Sequence, residues 1–321
     1  MKAFLVISFF ILQSVHASPL LRPQLDSDEF YSETFSMFSD LGNGVYLYSQ
    51  IGLTNIGPGD KKGLCHLLIV RPGHVPIHES VIVEQEEWSY NDTTESLKVA
   101  QCSLRLAENT RRMIFFGRID KTSIQIEFSR SPQKFLMPNS QLEQESGYYR
   151  PEIYIPWSTT SAKYVTENET SALMQGNGYA DHSRTTLLPA QLASQWIRFR
   201  GIAGNEATLM LARFPPKAGG AKGWVWHRSG VAQPLLALKI NRGIVTDEKG
   251  WSISFMDQTG KMEILSSQLL YRHAPLEEKG FLKKIVASII GNPVTRTYRA
   301  SLRKANGVSF SGILEVSFSN E

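Results

Sequence analysis

The chain has 321 residues, 34 Lys and Arg against 30 Asp and Glu, and a formal charge of +4. Both signs are interspersed, so there is no strong basic field and no nucleic-acid partner is expected. A chain of this length can bury a large core, and usually does so as two units or as one large β-structure.

The first residues form a tripartite leader. Lys2 is the positive start, Phe4 to Leu12 the apolar run, and Val15, His16 and Ala17 the small-residue cleavage pattern. We expect a secretory signal peptide over 1–17, with cleavage near Ala17 and export to a periplasm or the extracellular space. A retained anchor is the alternative, but the apolar run is short for a bilayer span, and no later stretch is long and apolar enough for a transmembrane helix. In an oxidising compartment Cys65 and Cys102 are expected to form a disulfide, with two buried thiols as the alternative. Asn91 and Asn168 open N-x-Thr glycosylation patterns, which matter in a eukaryotic host.

From Phe30 onward, short apolar and aromatic runs alternate with turn residues. Strands are predicted at 33–38, 44–54, 63–71, 79–86, 96–106, 111–119 and 123–130. Residues 131–146 are polar and read as a loop or lid. An aromatic cluster over 148–157, with Tyr154 and Trp157, is followed by a polar stretch over 158–172, where the division between two domains, 18–165 and 166–321, is expected. Strands resume at 174–181, 196–202, 206–214, 223–228, 234–240, 250–257 and 261–271, and a pair at 294–303 and 308–317 closes the chain. Seven or eight short strands per half, separated by turns, are the signature of an antiparallel barrel or sandwich.

One segment breaks this rhythm. Phe281, Leu282, Ile285, Val286, Ile289 and Ile290 recur at helical spacing between Gly280 and Gly291, with Lys283 and Lys284 off the stripe. A short amphipathic helix is predicted here, closing one end of the second barrel. Peripheral membrane contact through residues 281–290 is the other reading.

Candidate chemistry centres on Gly176, Gly178, Tyr179, Asp181 and His182. If this stretch is a strand, Tyr179 and Asp181 share a face, and a carboxylate, a phenol and the His182 ring nitrogen near one face can position a polar ligand group or hand over a proton. In the plainer reading the glycines end a loop, Asp181 and His182 are hydrogen-bonded surface groups, and Tyr179 fills a core. Trp224 and Trp226 share one strand face and would form a broad apolar wall. Arg184, Arg198 and Arg200 are candidates to hold a headgroup. His74 and His78 flank a proline in a turn, so their spacing does not converge on a metal, and neither a metal nor a cofactor is expected. The Gly-x-Ser-x-Gly elbow, the His-Glu-x-x-His helix, the Walker loop and the dinucleotide fingerprint are all missing.

Taken together, these stretches resemble a known group. Glu33-Thr34-Phe35-Ser36-Met37-Phe38-Ser39-Asp40, with the strand over 45–55, is similar to the opening of the fungal survival-factor family of ceramide-binding proteins. The stretch from Gly176 to His182 resembles a motif shared by that family, the AttH-like proteins and the carotenoid 1,2-hydratases. The ending, with Gly291-Asn292-Pro293-Val294, Arg296-Thr297-Tyr298-Arg299 and Gly312-Ile313-Leu314-Glu315, is similar to theirs as well. The resemblance implies an all-β fold of two consecutive lipocalin-like antiparallel β-barrels with a cavity for a lipid or isoprenoid. In the hydratase-like members the Tyr-x-Asp pair is tied to alkene protonation, and by position those residues are Tyr179 and Asp181. The match is incomplete. Arg184-Thr185-Thr186 stands where a tryptophan and glycine often follow, and Glu152 and Tyr154 fall near the positions of the hydratases' upstream histidine and tryptophan.

Three functional readings follow. The first is an exported carrier of a hydrophobic molecule, such as a sphingolipid-like lipid or an isoprenoid, with Tyr179, Asp181, His182 and Arg184 at the polar end of the pocket and Tyr154, Trp157, Trp224 and Trp226 along it. The second is a hydratase- or cyclase-like enzyme with Asp181 as general acid and Tyr179 orienting it. The third is an all-β adhesion or carbohydrate-binding module, with its aromatics on the outside.

Overall fold

The computed structural model describes residues 19–56, 59–135, 137–138, 140–203, 206–217, 219–228, 230–242, 250–274 and 293–319. The expected leader over 1–17 and the amphipathic helix over 281–290 lie outside the described residues. What is described is almost entirely antiparallel β-structure in two sheets, a nearly closed barrel followed by a curled half-barrel.

The first sheet contains β1 (Ser32–Gly42), β2 (Val45–Thr54), β3 (Lys62–Val70), β4 (Ile77–Val83), β5 (Trp88–Asn91), β6 (Ser96–Val99), β7 (Cys102–Leu106), β8 (Met113–Ile119), β9 (Thr122–Phe128), β10 (Leu142–Gln144), β11 (Gly147–Val165) and β12 (Met174–Thr185). The second contains β13 (Gln195–Ala203), β14 (Glu206–Phe214), β15 (Lys222–His227), β16 (Gln233–Pro234), β17 (Ala237–Arg242), β18 (Trp251–Asp257), β19 (Gly260–His273), β20 (Val294–Lys304) and β21 (Ser309–Phe318). A short helix, α1 (Pro189–Leu192), lies in the connection between them.

The two sheets share one plan. In each, the first strand bonds to both the second and the last: β1 to β2 and β12, β13 to β14 and β21. Each opens at a seam after its fourth strand, between β4 and β5 in one and between β16 and β17 in the other. The strands form where the period is two. In β9 and β18, for example, buried and partly exposed positions alternate, so one face is core and the other is wetter.

Two strands depart from alternation. β11 is buried almost continuously from Glu152 to Trp157, and β14 from Ala207 to Leu209 and beyond, because both of their faces are covered. One face looks into its own sheet's core and the other meets the opposite sheet. The first core is filled by Phe35, Met37, Leu47, Ile51, Phe115 and Phe128 among others, and the second by Ile197, Phe199, Val225, Phe255 and Leu314 among others. A third buried layer lies between the sheets, joining Phe38, Tyr46, Ile153, Trp157 and Tyr179 to Leu209, Trp224, Trp226, Leu270 and Ile313.

Cys65 and Cys102 form the expected disulfide, tying β3 to β7 within the first core with their Cα atoms 6.4 Å apart. The division expected at 165/166 falls inside the first sheet. β12 pairs along β11 from Tyr149↔Thr185 to Ala162↔Met174, and the change of sheet comes after Thr185. The polar composition of 158–165 suggested a linker, yet Ser158 and Thr160 are fully buried, with hydroxyls bonded to Ser129 and Ser39. A polar strand is stable there because each hydroxyl has a partner. The single strand predicted over 96–106 is instead a hairpin, β6–β7, turning at Ala100 with φ of 49°.

Candidate functional site

The Gly176–His182 stretch lies within β12, bonded to β1 on one side and β11 on the other. Its glycines do not end a loop. A Cβ at Gly178 would lie 2.5 Å from Thr160 Cγ2 and 2.7 Å from the Phe38 carbonyl oxygen, so glycine is needed for close packing against both neighbours.

Neighbouring residues on a strand face opposite ways. Tyr179 and Asp181 face the second sheet, whereas His182 turns into the first sheet's interior and stacks on Phe35 with ring centres 4.3 Å apart. Tyr179 donates its hydroxyl proton to Asp181 Oδ2 at 2.8 Å. Burial, and after it the Asp181 charge, pushes the Tyr179 phenol well above its usual range.

β13 answers from across the layer. Ile197 and Phe199 face their own core, which turns Arg198 and Arg200 toward β12. Arg200 forms an ion pair with Glu315 and lies 4.0 Å from Asp181 Oδ2. Its guanidinium also stands 4.6 Å from the centre of the Tyr179 ring and 5.4 Å from that of Phe38. Burial opposes the charge on Arg198, but Tyr149, Asp181, Tyr179 and Tyr48 around it outweigh that and hold its pKa raised.

Two chambers occupy the space between the sheets. The inner one, about 100 Å³, is walled by Tyr179, Asp181, Trp224, Tyr149 and Ser36. The outer one, about 320 Å³, is walled by Tyr46, Leu68, Trp196, Phe318, His66 and His273. They share Tyr48, Gln50 and Arg198, which therefore stand at their junction. The chambers abut at these residues in one cleft, and each mixes aromatic side chains with polar ones.

The expected site residues divide between this cleft and the first core. Tyr179, Asp181 and Trp224 meet in the inner chamber, and Trp226 joins the buried layer on the same face as Trp224. Trp157 belongs to that layer too, but it is clasped between Arg130 and Arg228, whose guanidiniums lie 4.0 and 3.9 Å from its ring centre, and it borders a separate groove. His182, Tyr154 and Arg184 are not at the polar end of the cleft, because strand alternation and the β11 bulge put them on the inner side. His182 Nε2 bonds Glu33 Oε1 at 2.8 Å, and its Nδ1 lies 3.2 Å from the Tyr154 hydroxyl and 3.4 Å from Glu152 Oε2. Tyr154 donates to the Leu20 carbonyl at 2.8 Å, and Arg184 sits beside Tyr31 and Tyr154. The hydrogen bond from His182, aided by Lys134, holds the Glu152 carboxyl down to about 2. Burial alone would raise Glu33, but His182, the Tyr31 hydroxyl and the Gln24 amide hold it below the usual range.

Sequence reading overlooked Tyr48, Gln50, Tyr149 and Glu315. The period-two set Tyr46, Tyr48 and Gln50 on β2 was a visible signal, since an aromatic and polar outer face opposite a core face of Leu47 and Ile51 is unusual for a strand facing water. His78, weighed with His74, instead meets His66 and His273, with His78 Nε2 2.9 Å from His66 Nδ1.

No family model matches the sequence, and no curated protein matches it. Solved structures do. A Nitrosomonas europaea protein described as an AttH superposes with a TM-score of 0.60 at 12% identity, over 91% of this chain and 93% of that one. Kievitone hydratase from Nectria haematococca gives 0.60 at 11% identity, over 95% and 93%. CghA bound to Sch210972 gives 0.60 at 8% identity, over 90% and 88%. Identity this low carries the fold and nothing finer, so the conclusion is structural: this chain has the two-sheet, lipocalin-like fold of the AttH-like proteins.

Proposed function

We propose that the protein binds a small hydrophobic molecule in the cleft between its two sheets. The observation that carries this is the pair of adjoining chambers, of about 320 and 100 Å³, whose walls combine aromatic side chains with a few polar ones such as Asp181 and Arg198. Their combined size falls in the ordinary range of small-molecule sites, and an apolar wall with a few convergent polar groups is what such sites share. Each methylene moved from water to such a wall contributes about 0.8 kcal/mol, so a carrier needs no chemistry to hold its cargo. We place the pocket expected inside a barrel between the sheets, because among the described residues buried apolar side chains occupy the interior of each sheet. The names of two structural neighbours, a hydratase and a protein solved with a small molecule bound, are consistent with a ligand cleft in this fold. We further propose that the protein is exported, as the leader pattern suggests and as the Cys65–Cys102 disulfide favours.

Mass spectrometry of molecules extracted from natively purified protein tests the reading. Enrichment of one apolar compound over a control protein, reduced in Trp224→Ala, supports it. Protein that is clean and takes up no hydrophobic probe counts against it.

A second reading rests on the Tyr179–Asp181 hydrogen bond at the wall of the inner chamber. A carboxyl there could deliver a proton to an isoprenoid alkene, with Trp224 and Tyr149 steadying positive charge. It requires Asp181 to carry the proton when the alkene arrives, whereas in the structure Asp181 accepts the hydrogen bond from Tyr179. An Asp181→Asn variant that turns over an identified alkene at the full rate would dispose of this reading.

A further inference from the structure

We propose that the natural ligand of the cleft is an amphiphilic carboxylic acid, and that Arg198 is the residue that receives its carboxylate. This rests on the cleft being a ligand site, and it goes beyond that by naming the ligand's charged group and its counter-charge.

The ion pairs around the cleft single out Arg198. Arg200 is committed to Glu315 and faces Asp181, Arg299 is paired with Asp40, and Asp181 accepts the Tyr179 hydroxyl. Arg198 has no carboxylate within ion-pair distance among the described residues, although it is half-buried and lies on the face between the sheets. A guanidinium carries five donors and stays charged, so withdrawing it from water without an anion leaves donors and charge poorly satisfied. Its near neighbours include the face of Trp196, 5.5 Å away, and the phenols of Tyr149 and Tyr48, which carry no charge at neutral pH; the carboxylates facing it, Asp181 and the cross-strand Glu315, are held by the Tyr179 hydroxyl and by Arg200.

A second observation points to the same place. The indole Nε1–H of Trp224, on the wall of the inner chamber, is buried and has no hydrogen-bond acceptor in the protein. A guanidinium without an ion-pair partner and an orphaned N–H on the wall of one chamber are both met by a carboxylate, which accepts at each of its oxygens. Asp181, Glu152 and Glu315 already line the two chambers, so a doubly charged phosphate would meet more repulsion there than a single carboxylate does. Arg198 stands where the chambers join, so an acid held there would extend its apolar body along Trp196, Leu68 and Phe318 in the outer chamber.

Retinoic acid and retinol, which share a body and differ in the headgroup, test the assignment on the full chain near neutral pH. Trp196 and Trp224 line the cleft, so quenching of tryptophan fluorescence reports binding. The wild type should bind the acid roughly tenfold or more tightly than the alcohol. Arg198→Gln should abolish that preference, and Arg198→Lys should keep part of it, with circular dichroism confirming that both variants fold. Equal affinity for acid and alcohol in the wild type, or a preference that survives Arg198→Gln, overturns the acid assignment while leaving the cleft intact. Failure of both probes, and of the shorter pair cinnamic acid and cinnamyl alcohol, overturns the cleft reading and this proposal with it.

Discussion

Asp181 and His182 are adjacent in the chain and serve different compartments. Asp181 takes the Tyr179 hydroxyl in the cleft between the sheets, while His182 bonds Glu33 at 2.8 Å inside the first core. One strand thus carries a cleft-facing pair on its outer face and a structural cluster on its inner face, and the two should separate in experiment.

Removing His182 from its carboxylates should unfold the protein more readily without touching the cleft. Glu33 is fully buried and His182 nearly so, and taking one partner from such a pair typically costs about 3–5 kcal/mol. His182→Ala should lower the urea midpoint by that order. Asp181→Asn, at a half-buried site that keeps Tyr179 and Arg200 nearby, should cost about 1 kcal/mol. Equal losses for the two variants would contradict the division of roles.

The glycine at 178 should tolerate no larger side chain. A Cβ there meets the Phe38 carbonyl at 2.7 Å, and a backbone atom in a bonded strand cannot move aside. Gly178→Val should destabilise by about 3 kcal/mol or prevent folding. A soluble variant with an unshifted thermal midpoint would show that the strands separate easily.

Stability should fall with pH before any carboxylate titrates. Burial, then His78 and His273, push the His66 imidazole down to about 3 from an ordinary 6.5. Below 6.5 the unfolded chain takes up a proton that the folded chain refuses until about 3, so acidification favours unfolding across that window, by up to about 1.4 kcal/mol per pH unit. Between 6.5 and about 4.5 the effect is separate from Glu33 and Glu152, whose lowered carboxyls add theirs only as pH falls below their ordinary 4.5. Denaturant midpoints for the wild type and His66→Gln across that upper range should diverge, the wild type falling faster. Parallel profiles would refute the assignment.

Loss of the disulfide should weaken the first sheet. Cys65 and Cys102 are 37 residues apart, and closing a loop of that size stabilises by about 4 kcal/mol in the chain-entropy account. Cys65→Ala with Cys102→Ala should shift the denaturant midpoint accordingly, and dithiothreitol should reproduce the shift in the wild type but not in the double variant.

Much of the architecture was legible because strands advertise themselves locally. Turn residues and period-two runs located most strands of both halves, and the close pairing of Trp224 and Trp226 on one face needed only alternation. The polar half of β11 was not legible, since Ser158 and Thr160 look like linker residues until their partners Ser129 and Ser39 are brought beside them by pairing across the sheet.

By itself the sequence determined an all-β chain in two parts, the shared face of Tyr179 and Asp181, and two cysteines available to pair. What that face looks onto was a matter for the tertiary structure alone. Alternation tells a residue's side but not what lies on that side, and the answer depends on β13, which stacks Arg198 and Arg200 against β12. Because the second sheet covers the outer wall of the first, Tyr179 and Asp181 face a cleft between two sheets instead of bulk water, and the candidate site exists only where two surfaces distant in sequence meet.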